Sequence, residues 1–387
     1  MFFRKASYFS DNILLRPRRI LIVRFSAIGD VVHTLPVLIA LRTRFPHAEI
    51  AWLIEEKMSK LLLGHWAINR LIIVKKSWIK SWSEIAFLRK RLQMFAPDIT
   101  IDVQGLFKSS FAAWLSGATY RIGFGGIDGR EGSQWFNNYR ITPDAEHVID
   151  RNMSLLEPFG IYGSSIDFDL PECEMDCRSA RHFLNHNGLH GHFAILNVGA
   201  GWESKRWRGE RYAEVAQYLL TQWNLPSLVV WAGDEERKIA ETVVQSAKGT
   251  AFMAPSTTLG ELVSLARLAT IFIGSDTGPL HIAAAIGTPC LGLYGPMPAK
   301  RNGPYGTQNR FIQKQTLEGR RIRPHRAPRT LMDAIDTETV CNMCDEMLAK
   351  ILSSDSSLPI QEINQDINQD INQDIKENNP SKKRKAA

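Results

Sequence analysis

Three loops carry residues whose types and spacing could do chemistry. Asp30 follows the apolar run RILIVRF (19–25) in the loop SAIGDVVHTLPVL, where Gly29 permits a tight approach. A carboxylate there has two readings. It caps a helix whose apolar positions are Val32, Leu35, Leu38 and Leu41 and which then kinks at Pro36, or, with Thr34 as the cap ahead of Pro36, it is free to point into the cleft and act as a general base. Spacing leaves both open. The second loop, GSDTGPLHIAAAIGTP, follows ATIFI and sets Asp276, Thr277 and Gly278 in a turn before a helix that starts at Pro279 and ends at Gly287. Unpaired N–H groups at such a start bind anions and suit a diphosphate, whereas Asp276 suits a sugar hydroxyl. His281 faces either that site or the core. In the third loop, NVGAGWESKRWRGERYAEVA, Gly199 and Gly201 let backbone approach a ligand, and Lys205 and Arg206 supply positive charge.

Other motifs are absent or misplaced. Neither GxGxxG with its acidic partner nor GxxxxGK[ST] occurs, which counts against dinucleotide oxidoreductases and P-loop NTPases. Asp167-Phe168-Asp169 has the DxD form of metal-dependent sugar transferases. It precedes Pro171 rather than following a core strand, and reads as an exposed linker strand.

The elements that position these loops alternate in type. RILIVRF, EIAWLIE, RLIIVKK and DITIDVQ read as buried strands with amphipathic segments between them, the rhythm of a parallel sheet wrapped by helices. The rhythm restarts with HFAILNVGAG, PSLVVWAGD, ATIFIGSD and PCLGLYGP, separated by helical stretches such as ERYAEVAQYLL and LGELVSLARLA. The fold class is therefore α/β, with two doubly wound, Rossmann-like halves facing a cleft at the carboxyl ends of their sheets. The expected boundaries are 1–165 for the first domain, 166–190 for a linker rich in turn formers, 191–355 for the second domain, with a last helix that can pack back on the first, and 356–387 for a disordered tail with INQD three times in succession.

Composition narrows the class. The 387 residues, 44% hydrophobic and 22% charged, suffice for two cores, and no run of about 18 apolar residues could span a bilayer. The start lacks a secretory h-region, so a cytoplasmic location is expected. The net charge of +7 belongs to the globular body, because the tail balances five bases with five acids; a basic body suits an anionic partner. Aromatics read as not interleaved with the basic clusters, and neither helix-turn-helix nor zinc-finger spacing appears, so no nucleic-acid partner is expected. Five cysteines do not make a disulfide framework, and zinc is not expected of Cys173/Cys177 and Cys341/Cys344.

RILIVRFSAIGDVVHTLPVLIALR, IDVQGLFKSS, RIGF, HVIDRN, SKRWRGERYAEVA and IGSDTGPLHIAAAIGTPCLGLYGP resemble, in order and from about residue 18 to 350, the blocks of the lipopolysaccharide heptosyltransferases, glycosyltransferase family nine. The first and last blocks are the specific ones. The resemblance implies a GT-B fold and inverting transfer of a heptose from ADP-heptose to an anionic lipid A/Kdo acceptor, with no metal or cofactor. It implies Asp30 as general base, Lys205 near the donor phosphates, and Asp276, Thr277, Gly278 and His281 as the donor turn, with Gly199 and Pro279 beside them. Lys108, Arg121 and Arg151 are expected on the acceptor side, joined by Arg320, Arg321, Arg323, Arg326 and Arg329, and the basic amino terminus, FFRK and ILLRPRR, is expected to touch the cytoplasmic face of the inner membrane. The departures are Ala200 and Gly201, where relatives carry hydroxyls, the basic stretch 312–331 and the tail. Another nucleotide sugar, or an epimerase of similar fold, is the alternative.

Overall fold

The computed structural model describes residues 16–163, 165–317 and 323–354. Arg320, Arg321, the FFRK start and the INQD and SKKRK segments lie outside the described residues. The chain divides into two compact units, residues 1–341 and 342–387. The described part of the second unit completes the helix Thr337–Ser354. The first unit holds everything else.

Its amino-terminal half runs β1 (Arg19–Val23), α1 (Ile28–Val32), α2 (Leu35–Arg44), β2 (Glu49–Glu55), β3 (Arg70–Val74), α3 (Trp82–Phe95), β4 (Ile99–Asp102), α4 (Phe107–Leu115), β5 (Tyr120–Phe124), β6 (Tyr139–Ile141) and α5 (Val148–Ser154). The strands pair in the order β3-β2-β1-β4-β5-β6, all parallel. Ile20 through Val23 in the central strand are fully buried, which is why RILIV carries no polar alternation: helices cover both faces of the sheet.

The carboxyl-terminal half repeats the pattern with α6 (Glu174–His186), β7 (Ala194–Asn197), α7 (Gly209–Trp223), β8 (Ser227–Val230), α8 (Gly233–Ser246), β9 (Ala251–Met253), α9 (Leu259–Leu268), β10 (Ile271–Ser275), α10 (Gly278–Ala285), β11 (Cys290–Leu293) and β12 (Arg310–Ile312). Its order is β12-β11-β10-β7-β8-β9. Both sheets thus reverse direction beside their first strand, between β1 and β4 and between β7 and β10.

The eight expected strands are present, and four more, β5, β6, β9 and β12, complete the sheets. Three of these are three-residue edge strands. The join also contains more than turns: α6 buries Ala180 and Leu184 in the second half's core, while Phe168 and Leu170 enter the first half's core. Asp167-Phe168-Asp169 is therefore not an exposed strand. Phe168 is buried, no strand forms there, and Asp169 accepts a hydrogen bond from the Trp66 indole.

Candidate active site

The three loops singled out above all leave strands at the switch points, where open α/β sheets bind ligands. Asp30 follows β1, Gly199 to Lys205 follow β7, and Asp276 to His281 follow β10.

At Asp30 the local structure keeps one part of the second reading, Thr34 in the cap position ahead of Pro36, and departs from both in placing Asp30 inside a short helix of its own. The helix breaks at His33–Thr34 into α1 and α2, and Ala27 occupies the cap position of α1. Asp30 lies in the first turn instead, where its Oδ2 accepts a hydrogen bond from the Ala27 amide at 3.1 Å. Its Oδ1 pairs with Arg24 Nη2 at 2.7 Å. Thr34 sits in the cap position of α2, but its hydroxyl donates to the Asp30 carbonyl at 2.8 Å rather than capping. The carboxylate thus has two anchors and keeps 43% of its side-chain surface open to solvent, as an attacking group's base must.

The opposite loops converge on Asp276. This carboxylate is 7% exposed, accepts from Lys205 Nζ at 2.5 Å, and accepts from His281 Nε2 at 3.1 Å. Burial pushes the Asp276 carboxyl up, but the His281 hydrogen bond and the Lys205 charge outweigh it and hold it below the ordinary carboxylate range. Asp276 is therefore an anchor for a cation and an imidazole. Lys205 Nζ also donates to the Asp276 carbonyl at 3.3 Å and lies 4.7 Å from the centre of the Trp202 ring. Thr277 caps α10 by position, and its Oγ accepts from Asn197 Nδ2 at 3.0 Å, tying the β7 loop to the β10 turn. Pro279 stands second in α10, after Gly278. Gly199 makes a close approach, but to protein: a Cβ there would lie 2.1 Å from the Glu236 carboxylate, whose affinity for a proton is raised by burial.

The two halves meet at these loops. A Cβ on Gly29 would lie 2.6 Å from His281 Cδ2, and one on Gly278 would lie 2.6 Å from Ile28 Cγ2, so α1 and α10 touch through two glycines. Ile282 of α10 joins the core of the first half. His281 is buried and stacks edge-on against His33, with ring centres 4.3 Å apart, so it faces the junction of the halves.

The acceptor-side residues are distributed less evenly. Lys108, second in α4, stands at the carboxyl edge of β4, held by Glu55 at 2.7 Å and the Lys76 carbonyl at 2.8 Å. Arg151 on α5 is half-buried, pairs with Asp128 and donates to the Ala145 carbonyl at 2.7 Å. Arg121 is not brought to this edge. It stands at the amino-terminal end of β5, where its guanidinium donates to the carbonyls of Phe136 and Ala118, each at 2.8 Å. Arg323 and Arg326 are exposed, and Arg329 lies 3.9 Å from Glu203, in the loop of Lys205. Sequence reading passed over Arg24, His33, Asn197 and Glu236. Arg24 directly follows β1 and Asn197 ends β7, both at switch points, and that position was the available signal. Among the described residues, no group of three or more His, Cys, Asp or Glu could hold a metal ion, and no helix is long and apolar enough to cross a membrane.

Comparison with known proteins bears on the family and the fold. The family model for glycosyltransferase family 9 (heptosyltransferase) matches residues 85–324. The lipopolysaccharide core heptosyltransferase OpsX of Haemophilus influenzae is 28% identical over 299 residues, covering 76% of this chain and 84% of that protein. Lipopolysaccharide heptosyltransferase 1 of Escherichia coli K12 is 27% identical over 312 residues, covering 78% and 94%. Among solved structures, a family 9 glycosyl transferase from Veillonella parvula superposes with a TM-score of 0.73 at 24% identity, covering 87% of this chain and 98% of that one. Heptosyltransferase WaaC of E. coli with ADP gives 0.66 at 23% identity, covering 86% and 99%. With its two parallel six-stranded sheets in the GT-B arrangement, the chain belongs to glycosyltransferase family 9, the heptosyltransferases.

Proposed function

We propose that this glycosyltransferase moves a heptose from ADP-heptose to the inner core of lipopolysaccharide, on a Kdo-lipid A type acceptor, at the cytoplasmic face of the inner membrane. The reading adds inversion at the anomeric carbon and independence of a metal ion. The names of the relatives support the reaction, and two of the similar E. coli structures were solved with ADP and with ADP-2-deoxy-2-fluoro heptose. The observation that carries it is the contact of α1 with α10, which sets a solvent-open carboxylate of one half beside a cation and a helix start of the other.

The chemistry follows from that pairing. An acceptor hydroxyl attacks the anomeric carbon from the Asp30 side, its proton passes to the carboxylate, and the bond to the ADP oxygen breaks on the far side. Arg24 and the Ala27 amide fix the carboxylate, so little reorganisation is needed at the moment of attack. Lys205 has three N–H groups and spends two on Asp276; the third, with the first-turn amides of α10, would offset the charge growing on the diphosphate. These groups supply the positive charge for which many nucleotide-sugar enzymes use a divalent cation. Lys108 and Arg151, on the first half, are the acceptor-side candidates retained.

Asp30→Asn is the direct test. Transfer should fall by about 10²- to 10⁴-fold, while ADP-heptose binding measured by calorimetry is unchanged. Full turnover in that variant contradicts the role of Asp30, and thermal stabilisation by UDP-sugars alone contradicts the donor.

A further inference from the structure

The outer face of the amino-terminal half is apolar and basic at once. Between Lys75 and Phe95 the chain carries six bases (Lys75, Lys76, Lys80, Arg89, Lys90 and Arg91) and one acid, Glu84. This stretch corrects the expectation that aromatics and basic clusters stand apart. On α3, Leu88, Leu92 and Phe95 are buried, and the opposite face exposes Trp82 (86%), Phe87 and Met94 (73%) around Arg89 and Lys90. Among the described residues, no carboxylate pairs with Lys76, Lys80, Arg89 or Lys90. The neighbouring helix α4 extends the surface: Phe107 and Trp114 are exposed and stack on Phe111, with centroids 6.0 and 5.8 Å from it. Phe111 in turn stacks on Trp78 at 6.3 Å, and the adjacent Trp135 is 81% exposed. Isolated exposed apolar residues need no explanation, but a contiguous set of this kind marks a contact surface.

We propose that this α3–α4 face docks on an anionic lipid bilayer. Aromatics and Met enter the interfacial region, while the bases meet acidic headgroups, the combination that holds an amphipathic helix flat on a membrane. Charge argues against a second copy, because two such faces would bring their bases together. Position argues for a working role. Trp82 and Phe107 begin helices that follow β3 and β4, so the face starts at the same carboxyl edge of the sheet as Asp30. Lys108 joins the two regions: it lies 4.9 Å from the centre of the Phe25 ring and 5.9 Å from that of Trp78. The working role rests on the proposal of a lipid-borne acceptor; a docked enzyme would take that acceptor from the bilayer surface at the mouth of its cleft.

The test is co-sedimentation of the full chain with vesicles of phosphatidylcholine alone or mixed equally with phosphatidylglycerol, without substrates. Only the mixed vesicles should bind, and added salt should weaken the binding. A Trp82→Ser, Phe87→Ser, Met94→Ser variant and, separately, a Lys76→Glu, Lys80→Glu, Lys90→Glu variant should each lose about tenfold or more in vesicle affinity. Lys238→Glu, exposed on the other half, should change nothing. Because the changed side chains are exposed, both variants should melt like the parent and turn over a water-soluble, deacylated acceptor at its rate. Binding to neither vesicle, equal binding by both variants and parent, or a face that mediates dimerisation or RNA binding instead, would each overturn the proposal. Loss of vesicle binding with soluble turnover intact separates this result from failure of the proposed reaction.

Discussion

Asp276 fixes both Lys205, the cation proposed for the donor side, and His281. Its two oxygens are taken by Lys205 and His281, all three side chains are largely buried, and the pairing leaves the lysine little room to wander. Removing one partner of a buried pair is costly because the other charge is stranded. Asp276→Asn preserves shape but not charge, so it should lower stability by about 3 kcal/mol in urea unfolding. It should also weaken ADP-heptose binding, read by calorimetry, with a smaller effect on binding of the acceptor. Equal loss for donor and acceptor would mean that Asp276 supports the fold rather than the donor side.

Among the elements, α1 and α10 matter most, because each is admitted to the other by a glycine. Adding a methyl at Gly278 drives it against Ile28, so Gly278→Ala should cost about 1–3 kcal/mol and most of the activity. Trimming the partner in the double variant Ile28→Ala, Gly278→Ala should recover part of both losses, a coupling that a double-mutant cycle measures. Much of this level was legible beforehand. Strongly apolar runs such as EIAWLIE and ATIFIGSD became the buried central strands, and Gly287 does end α10, at φ 88°. Other features carried too little signal. The three-residue strands Tyr139–Ile141, Ala251–Met253 and Arg310–Ile312 are too short to show a period. The helix α6 does carry an amphipathic pattern, with Ala180, Phe183 and Leu184 on one face, but its polar remainder and the turn formers before it hid that face within the expected linker. At the site, loops were readable because glycine, proline and acidic residues cluster there. Partners were not: Arg24 meets Asp30 because β1 ends where it does, and His33 meets His281 only once the halves pack.

The two halves of the first unit meet around a group of histidines. His33 lies between His281 and His147, and His147 reaches across the halves to the Gly303 carbonyl at 3.0 Å. Tyr305 adds a second bridge by donating to Asp150 at 3.0 Å. His33 is held well below the ordinary 6.5 by burial, then by His281, His147 and Arg24. His147 is lowered too, chiefly by burial, despite Gly303 and Asp150. An unfolded chain takes up protons on these imidazoles below 6.5 while the folded chain refuses them, so stability rises with pH in that window and is lost on acidification. Urea unfolding should show lower stability near about pH 5.5 than about pH 7.5, and His33→Gln should flatten that difference. A pH dependence unchanged by the substitution would remove the histidine group from the account.

The arrangement as a whole is tested most directly by a crystal structure of the Asp30→Asn variant with ADP-heptose and a soluble acceptor bound together. The side chain at position 30 should lie about 2.6–3.2 Å from the attacking hydroxyl, with Lys205 and the start of α10 on the diphosphate across the anomeric carbon. Finding position 30 on the diphosphate side, or remote from the hydroxyl with the halves closed, would contradict it.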